Sequence, residues 1–167
     1  MKTINTLEDA LALELENLYY SEKKLMDQWS KLEKILQSEK LRGTLSRYIE
    51  SSNNKRLKID RVLSYIHREP GYCHANVINE LIQEFLDRLK FAQDPQVQEQ
   101  MVINCMERIV NYKTCAYEAS LRYAEKLDLD VAADLLLMII QWEKKMKKEL
   151  VELSFGQFNK DKQFVLN

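Results

Sequence analysis

The sequence predicts an all-α fold, and three observations carry that prediction. The 167 residues include only 3 glycines and 2 prolines, whereas sheets and hairpins need turn residues every ~8–12 positions. Apolar residues recur at steps of three and four over long stretches, the period of a helix with one buried face. Hydrophobic residues make up 46% and charged residues 31% of the chain. That balance suits a soluble domain with a real core, not a disordered chain.

Thr6 is placed to cap a first helix, with Glu8 and Asp9 in its first turn, where acids favour the helix dipole. Leu11, Glu14, Leu18, Glu22, Leu25, Trp29, Leu32 and Leu36 then form a seam. It spans roughly 30 residues, or ~45 Å of helix. Ser38 can cap a second helix with the seam Leu41, Leu45, Tyr48, Ser52, Lys55, Ile59, Val62 and Ile66. That helix must stop near Arg68, because Glu69-Pro70-Gly71 disfavours helix before the proline and supplies a turn after it. A shorter helix is expected from Ala75 to Ala92, burying Ile78, Leu81, Ile82, Phe85 and Leu89. Asp94-Pro95 reads as a cap followed by proline in the first helical position. The helix it opens runs to about Lys126, with the seam Val102, Met106, Ile109, Lys113, Ala116, Ser120, Tyr123 and Leu127. Asp130 caps the last helix, from Val131 to Leu153. Its seam is Ala132, Leu136, Ile139, Glu143, Met146, Leu150 and Leu153, and Leu135 to Ile140 is apolar nearly all round. Residues 154–167 read as a C-terminal tail on a single bundle domain, 1–153, with Phe155 and Phe158 as residues that could dock.

Four long helices with one short helix between the second and third are two up-down pairs joined by a longer crossover. That is the ferritin-like variant of the four-helix bundle. The informative feature is where polar residues interrupt the apolar seams. Glu14 and Glu22, then Ser52 and Lys55, then Lys113, then Glu143 each fall near the middle of a long helix. Mid-helix seam positions of a bundle meet in one layer, the layer in which ferritin-like proteins hold two metal ions. Such sites take one Glu from each of two helices and a Glu-x-x-His pair from each of the other two. The only histidines are His67 and His74, and Ser64 and Gly71 stand three residues before them, so no such pair exists. Buried lysines must be paired, so Lys55 and Lys113 are expected to meet Glu14, Glu22 or Glu143, standing where metal charge would otherwise sit. The competing site is a carboxylate-only iron centre of Glu14, Glu22, Glu50 and Glu143.

Other classes are weakly supported. The net charge is −1, with no basic stripe for nucleic acid. Lys144, Lys145, Lys147 and Lys148 read as a solvated face beside Glu149 and Glu152 rather than a membrane or DNA surface. The start of the sequence has acids inside its apolar stretch, unlike a signal peptide or membrane span. Cys73, Cys105 and Cys115 form no C-x-x-C pair and are odd in number, which suggests reduced thiols and a cytoplasmic protein. Cys105 and Cys115 read as small core residues. Glycines only at 43, 71 and 156 leave no phosphate loop. Tyr19, Tyr20, Tyr48, Tyr112, Tyr117 and Tyr123 read as bundle packing with hydroxyls at the rim.

The opening Thr6-Leu7-Glu8-Asp9, then Glu14-Leu15-Glu16-Asn17-Leu18-Tyr19 and Ser21-Glu22-Lys23-Lys24-Leu25, resembles the first helix of the YciE/YciF family of bacterial ferritin-like proteins associated with stress responses. Pro70, Cys73 and Ala75 are similar to that family's turn into its short helix, and Asp94-Pro95, Tyr112, Tyr117, Ala132-Ala133-Asp134-Leu135-Leu136 and Glu143-Lys144 also match. The resemblance covers nearly all of residues 4–153. It implies a five-helix ferritin-like fold, often dimeric, with a di-metal centre in better-endowed members. Glu22 and Glu143 match acidic family positions, as Glu14 does less closely. The family usually shows an acid and a histidine around Glu50 to Lys55, and Glu-His-Tyr-Glu where this chain has Val110, Asn111, Tyr112 and Lys113. An acid is likewise missing around Met138. The expectation is a bundle without a metal cofactor and without enzymatic activity, working as a homodimer or with a paralogous ferritin-like protein.

Overall fold

The computed structural model describes residues 3–71 and 75–162, with side chains as far as Phe155. Cys73 and His74, singled out above, lie outside the described residues, as does the Phe158 side chain. The helices are α1 (Leu7–Leu32), α2 (Glu39–Tyr65), α3 (Asn76–Leu89), α4 (Pro95–Lys126) and α5 (Asp130–Lys162).

The helix starts follow their local chemistry. Thr6 and Asp9 form a reciprocal capping box on α1, and Ser38 accepts from the Leu41 amide on α2. Asp94 accepts from the amides of Gln96 and Val97, with Pro95 leading α4. α2 ends at Tyr65, and His67 takes a left-handed backbone (φ 52°) just beyond it. α3 begins without a side-chain cap at Ala75, which is also left-handed (φ 46°). At the other end of the chain one boundary moves. α5 does not stop at Leu153 but continues to Lys162, so most of the expected tail is helix. Nothing in residues 154–162 breaks a helix, since they contain one glycine and no proline.

The two antiparallel pairs, α1 with α2 and α4 with α5, sit side by side. α3 crosses over one end and packs on α4 and α1, where Trp29 meets Phe85 edge-on with ring centroids 6.4 Å apart. The core is in two parts. One, around Trp29, Leu41, Leu45, Val102, Met106 and Leu150, lies at the α3 end. The other, around Leu11, Leu15, Ile59, Val62, Leu136 and Ile139, lies at the opposite end. Between them, at one level in all four long helices, sit buried polar residues: Glu22 between Leu18 and Leu25, Ser52 and Lys55 between Tyr48 and Ile59, Lys113 between Val110 and Tyr117, and Glu143 between Ile140 and Met146.

Candidate functional site

The layer is a continuous ion-pair network. Lys113 of α4 donates to Glu22 Oε1 of α1 at 2.6 Å and lies 2.8 Å from Glu143 Oε1 of α5. Lys55 of α2 donates to the same Glu143 oxygen at 2.6 Å. The Tyr117 hydroxyl donates to Glu22 Oε1 at 2.8 Å. The Tyr48 ring carries both ammonium groups, with Lys55 Nζ 4.8 Å and Lys113 Nζ 4.7 Å from its centroid. Every one of these side chains is closed to solvent, none more than 1% exposed.

Two cations and two anions balance, which is how four charges survive in a dry interior. Burial alone would raise the Glu22 carboxyl, but the charge of Lys113, then Lys55, and the hydrogen bond from Lys113 bring it down to about 2. For Lys113, burial favours the neutral amine, and Glu143 and Glu22 outweigh that and hold the ammonium above its ordinary range. Burial, with Glu143 nearby, pushes the Tyr48 phenol well up, and burial with Glu22 does the same to Tyr117. Both tyrosines therefore stay protonated, and Tyr117 donates to Glu22. Ser52 lies close enough to Glu22 to favour its charge, although its Oγ makes no well-formed hydrogen bond.

The structure brings together five of the six polar residues expected from the sequence: Glu22, Ser52, Lys55, Lys113 and Glu143. Glu14 is not among them. It sits eight residues before Glu22, which places it ~12 Å away along the axis and rotated by roughly 80°. There it is half-buried, and burial raises its carboxyl. Leu15 takes the seam position instead. Glu50 is exposed on the outer face of α2, so the four-carboxylate centre Glu14, Glu22, Glu50 and Glu143 does not assemble.

Two further expectations need correcting. Tyr48 and Tyr117 do not carry their hydroxyls at the rim but are fully buried members of the layer. The signal for Tyr117 was its position four residues after Lys113, one helical turn along the same face. Cys115 is exposed rather than a core residue, whereas Cys105 is buried and its thiol is pushed up to about 12 by that burial. The lysines at 144, 145, 147 and 148 are exposed as expected, and Lys144 pairs with Glu118 of α4.

Tyr117→Phe tests the smallest polar contact. Losing a hydrogen bond to a charged acceptor should cost about 1.5–3 kcal/mol, read from urea denaturation with an unchanged slope.

The family model described as "Domain of unknown function (DUF892)" matches residues 6–163. The chain belongs to this family. Among curated proteins it is similar to protein YciF of Escherichia coli (strain K12), with 25% identity over 160 residues, covering 94% of this chain and 95% of the relative. The crystal structure of the E. coli stress protein YciF superposes with a TM-score of 0.88 at 23% identity, covering 94% of this chain and 99% of that one. YcfI from Rhodopseudomonas palustris, for which a structural role is suggested, gives 0.85 at 21% identity, covering 89% and 95%. These likenesses show the YciF-like helical-bundle fold that the DUF892 chain adopts.

A di-metal centre does not fit this layer. Ammonium nitrogens lie 2.6–2.8 Å from the carboxylate oxygens that would have to ligate the ions. The two carboxylates are already neutralised, and among the described residues no imidazole reaches them, His67 lying just beyond the end of α2. Among the described residues no three His, Cys, Asp or Glu side chains gather as a metal-holding group. Among the described residues no helix is long and apolar enough to cross a membrane.

Proposed function

We propose that this chain is a YciF-type bundle in which a lysine–glutamate layer stands in place of a di-metal site, so that it carries out no iron chemistry. It acts in a stress-related role through contacts with a second copy or with a paralogous ferritin-like protein in the cytoplasm. The observation that carries the reading is the double use of Glu143, whose one oxygen accepts from Lys55 and pairs with Lys113 at 2.8 Å. A protonated lysine cannot ligate a metal, and moving either one to admit an ion would leave it buried without its counter-charge. The relative YciF is called a stress protein, which supports the physiological setting. Exposed Leu57, Leu137 and Met138 supply apolar surface for contacts of this kind.

The test is ferrous oxidation in air with the purified protein, together with melting in the presence and absence of a chelator. The reading predicts oxidation no faster than buffer alone and one melting temperature in both conditions. Catalysed oxidation, or a melt that falls when metal is stripped, contradicts it. Sedimentation velocity separates the partner half of the reading: a monomer at tens of micromolar removes the homodimer.

A further inference from the structure

The ion pairs form a chain through all four long helices: Glu22 of α1 to Lys113 of α4, Lys113 to Glu143 of α5, and Glu143 to Lys55 of α2. The apolar regions on either side have no such directionality. Leucines and isoleucines dominate both, and one such residue can replace another at a helix–helix contact with modest loss. Sliding one helix by a turn moves it ~5.4 Å. That shift would keep apolar against apolar in either half, but it would pull an ammonium out of hydrogen-bonding range of its carboxylate and leave both buried.

As a source of stability the layer is poorly built. Desolvating four charges is expensive, and a well-packed apolar replacement of a buried ion pair is often neutral or stabilising. The network also leaves polar atoms unmatched. Glu22 Oε2, Glu143 Oε2, the Tyr48 hydroxyl and Ser52 Oγ are all buried without a hydrogen-bond partner. A core selected for stability alone would be apolar at this level, as it is above and below.

We propose that the buried lysine–glutamate layer is a register lock, which selects the axial alignment and pairing of the four long helices at a cost in stability. Wrong alignments are excluded because they strand charges, in the way a single buried polar position fixes the register of a coiled coil. This holds whether or not the layer stands in for a metal site, and it rests on the geometry alone.

The test replaces the whole network, Glu22→Leu, Lys55→Met, Lys113→Met and Glu143→Leu together, and follows helix content, melting and amide hydrogen exchange by NMR. The expected result is retained helix content and a melting temperature no lower than that of the natural protein. At the same time mid-helix amides exchange about tenfold faster or more, and more than one set of resonances appears. A single sharp set of resonances with natural protection would overturn the lock. If the quadruple variant does not fold, Glu22→Leu with Lys113→Met serves, because Lys55 and Glu143 remain paired and neutral. Protection should then fall in α1 and α4 and persist in α2 and α5, whereas uniform protection across the four helices overturns the proposal.

Discussion

Lys113→Ala is expected to be among the most damaging single substitutions in the chain, costing about 3–5 kcal/mol. Among the described residues Lys113 is the one cation that touches both carboxylates. Its removal leaves Glu22 and Glu143 buried against Lys55 alone. For a chain of this size each kcal/mol moves the melting temperature by ~2–4 °C, so a fall of roughly 6–20 °C is expected in a calorimetric melt. The pH dependence gives an independent check. In the natural protein the Glu22 carboxyl is held at about 2, below its ordinary 4.5. A lowered acid contributes stability that is complete above the ordinary value and is lost as pH falls toward the folded one. In the variant, burial is no longer outweighed, and the folded state favours the protonated acid. The deficit should therefore shrink as pH falls from 7 toward 4. A deficit independent of pH would mean that lost packing, and not a stranded charge, is responsible.

Glu143→Ala should cost at least as much, because one oxygen of Glu143 serves both lysines. The variant holds two buried ammonium groups against Glu22 alone. Its pH dependence has the opposite sign. Buried, under-compensated lysines have folded pKa values below their unfolded ones, so raising the pH favours the neutral amines and the folded state. The gap to the natural protein should narrow between pH 7 and 10 in denaturant titrations. The two variants together discriminate charge from volume, since a cavity left by either truncation would respond to pH in neither direction. Removing opposite charges in the pair Glu22→Leu with Lys113→Met should cost less than Lys113→Ala alone, by the coupling of residues in one network.

Much of this arrangement is legible in the sequence because it rests on two short-range codes. The caps Thr6, Ser38 and Asp94 mark helix starts through local side-chain to backbone bonds. The period of the seams marks which face turns inward. Where a polar residue sits on that face, as Lys55 and Lys113 do, its burial follows, and so does the need for a carboxylate partner. What the sequence left open is which carboxylate. Seams written as steps of three and four admit neighbouring registers, and over a long helix one wrong step rotates a residue out of the core. That is how Glu14 came to share a seam with Glu22, and how Ala116 stood in for Tyr117. The tyrosines were misplaced for a different reason. A phenol is ordinarily amphipathic and sits at a rim, and only the polar layer itself gives Tyr48 and Tyr117 a reason to be wholly inside. The C-terminal boundary at Leu153 failed because the fading of the apolar period says where burial ends, not where helix ends.

The central claim is that lysine ammonium groups occupy the middle of a bundle where related architectures hold metal. Elemental analysis of the purified protein, loaded anaerobically with ferrous iron and desalted, tests it most directly. The account predicts no retained iron above the level of a similarly treated control protein. About two irons per chain would contradict it and require the lysines to leave the layer.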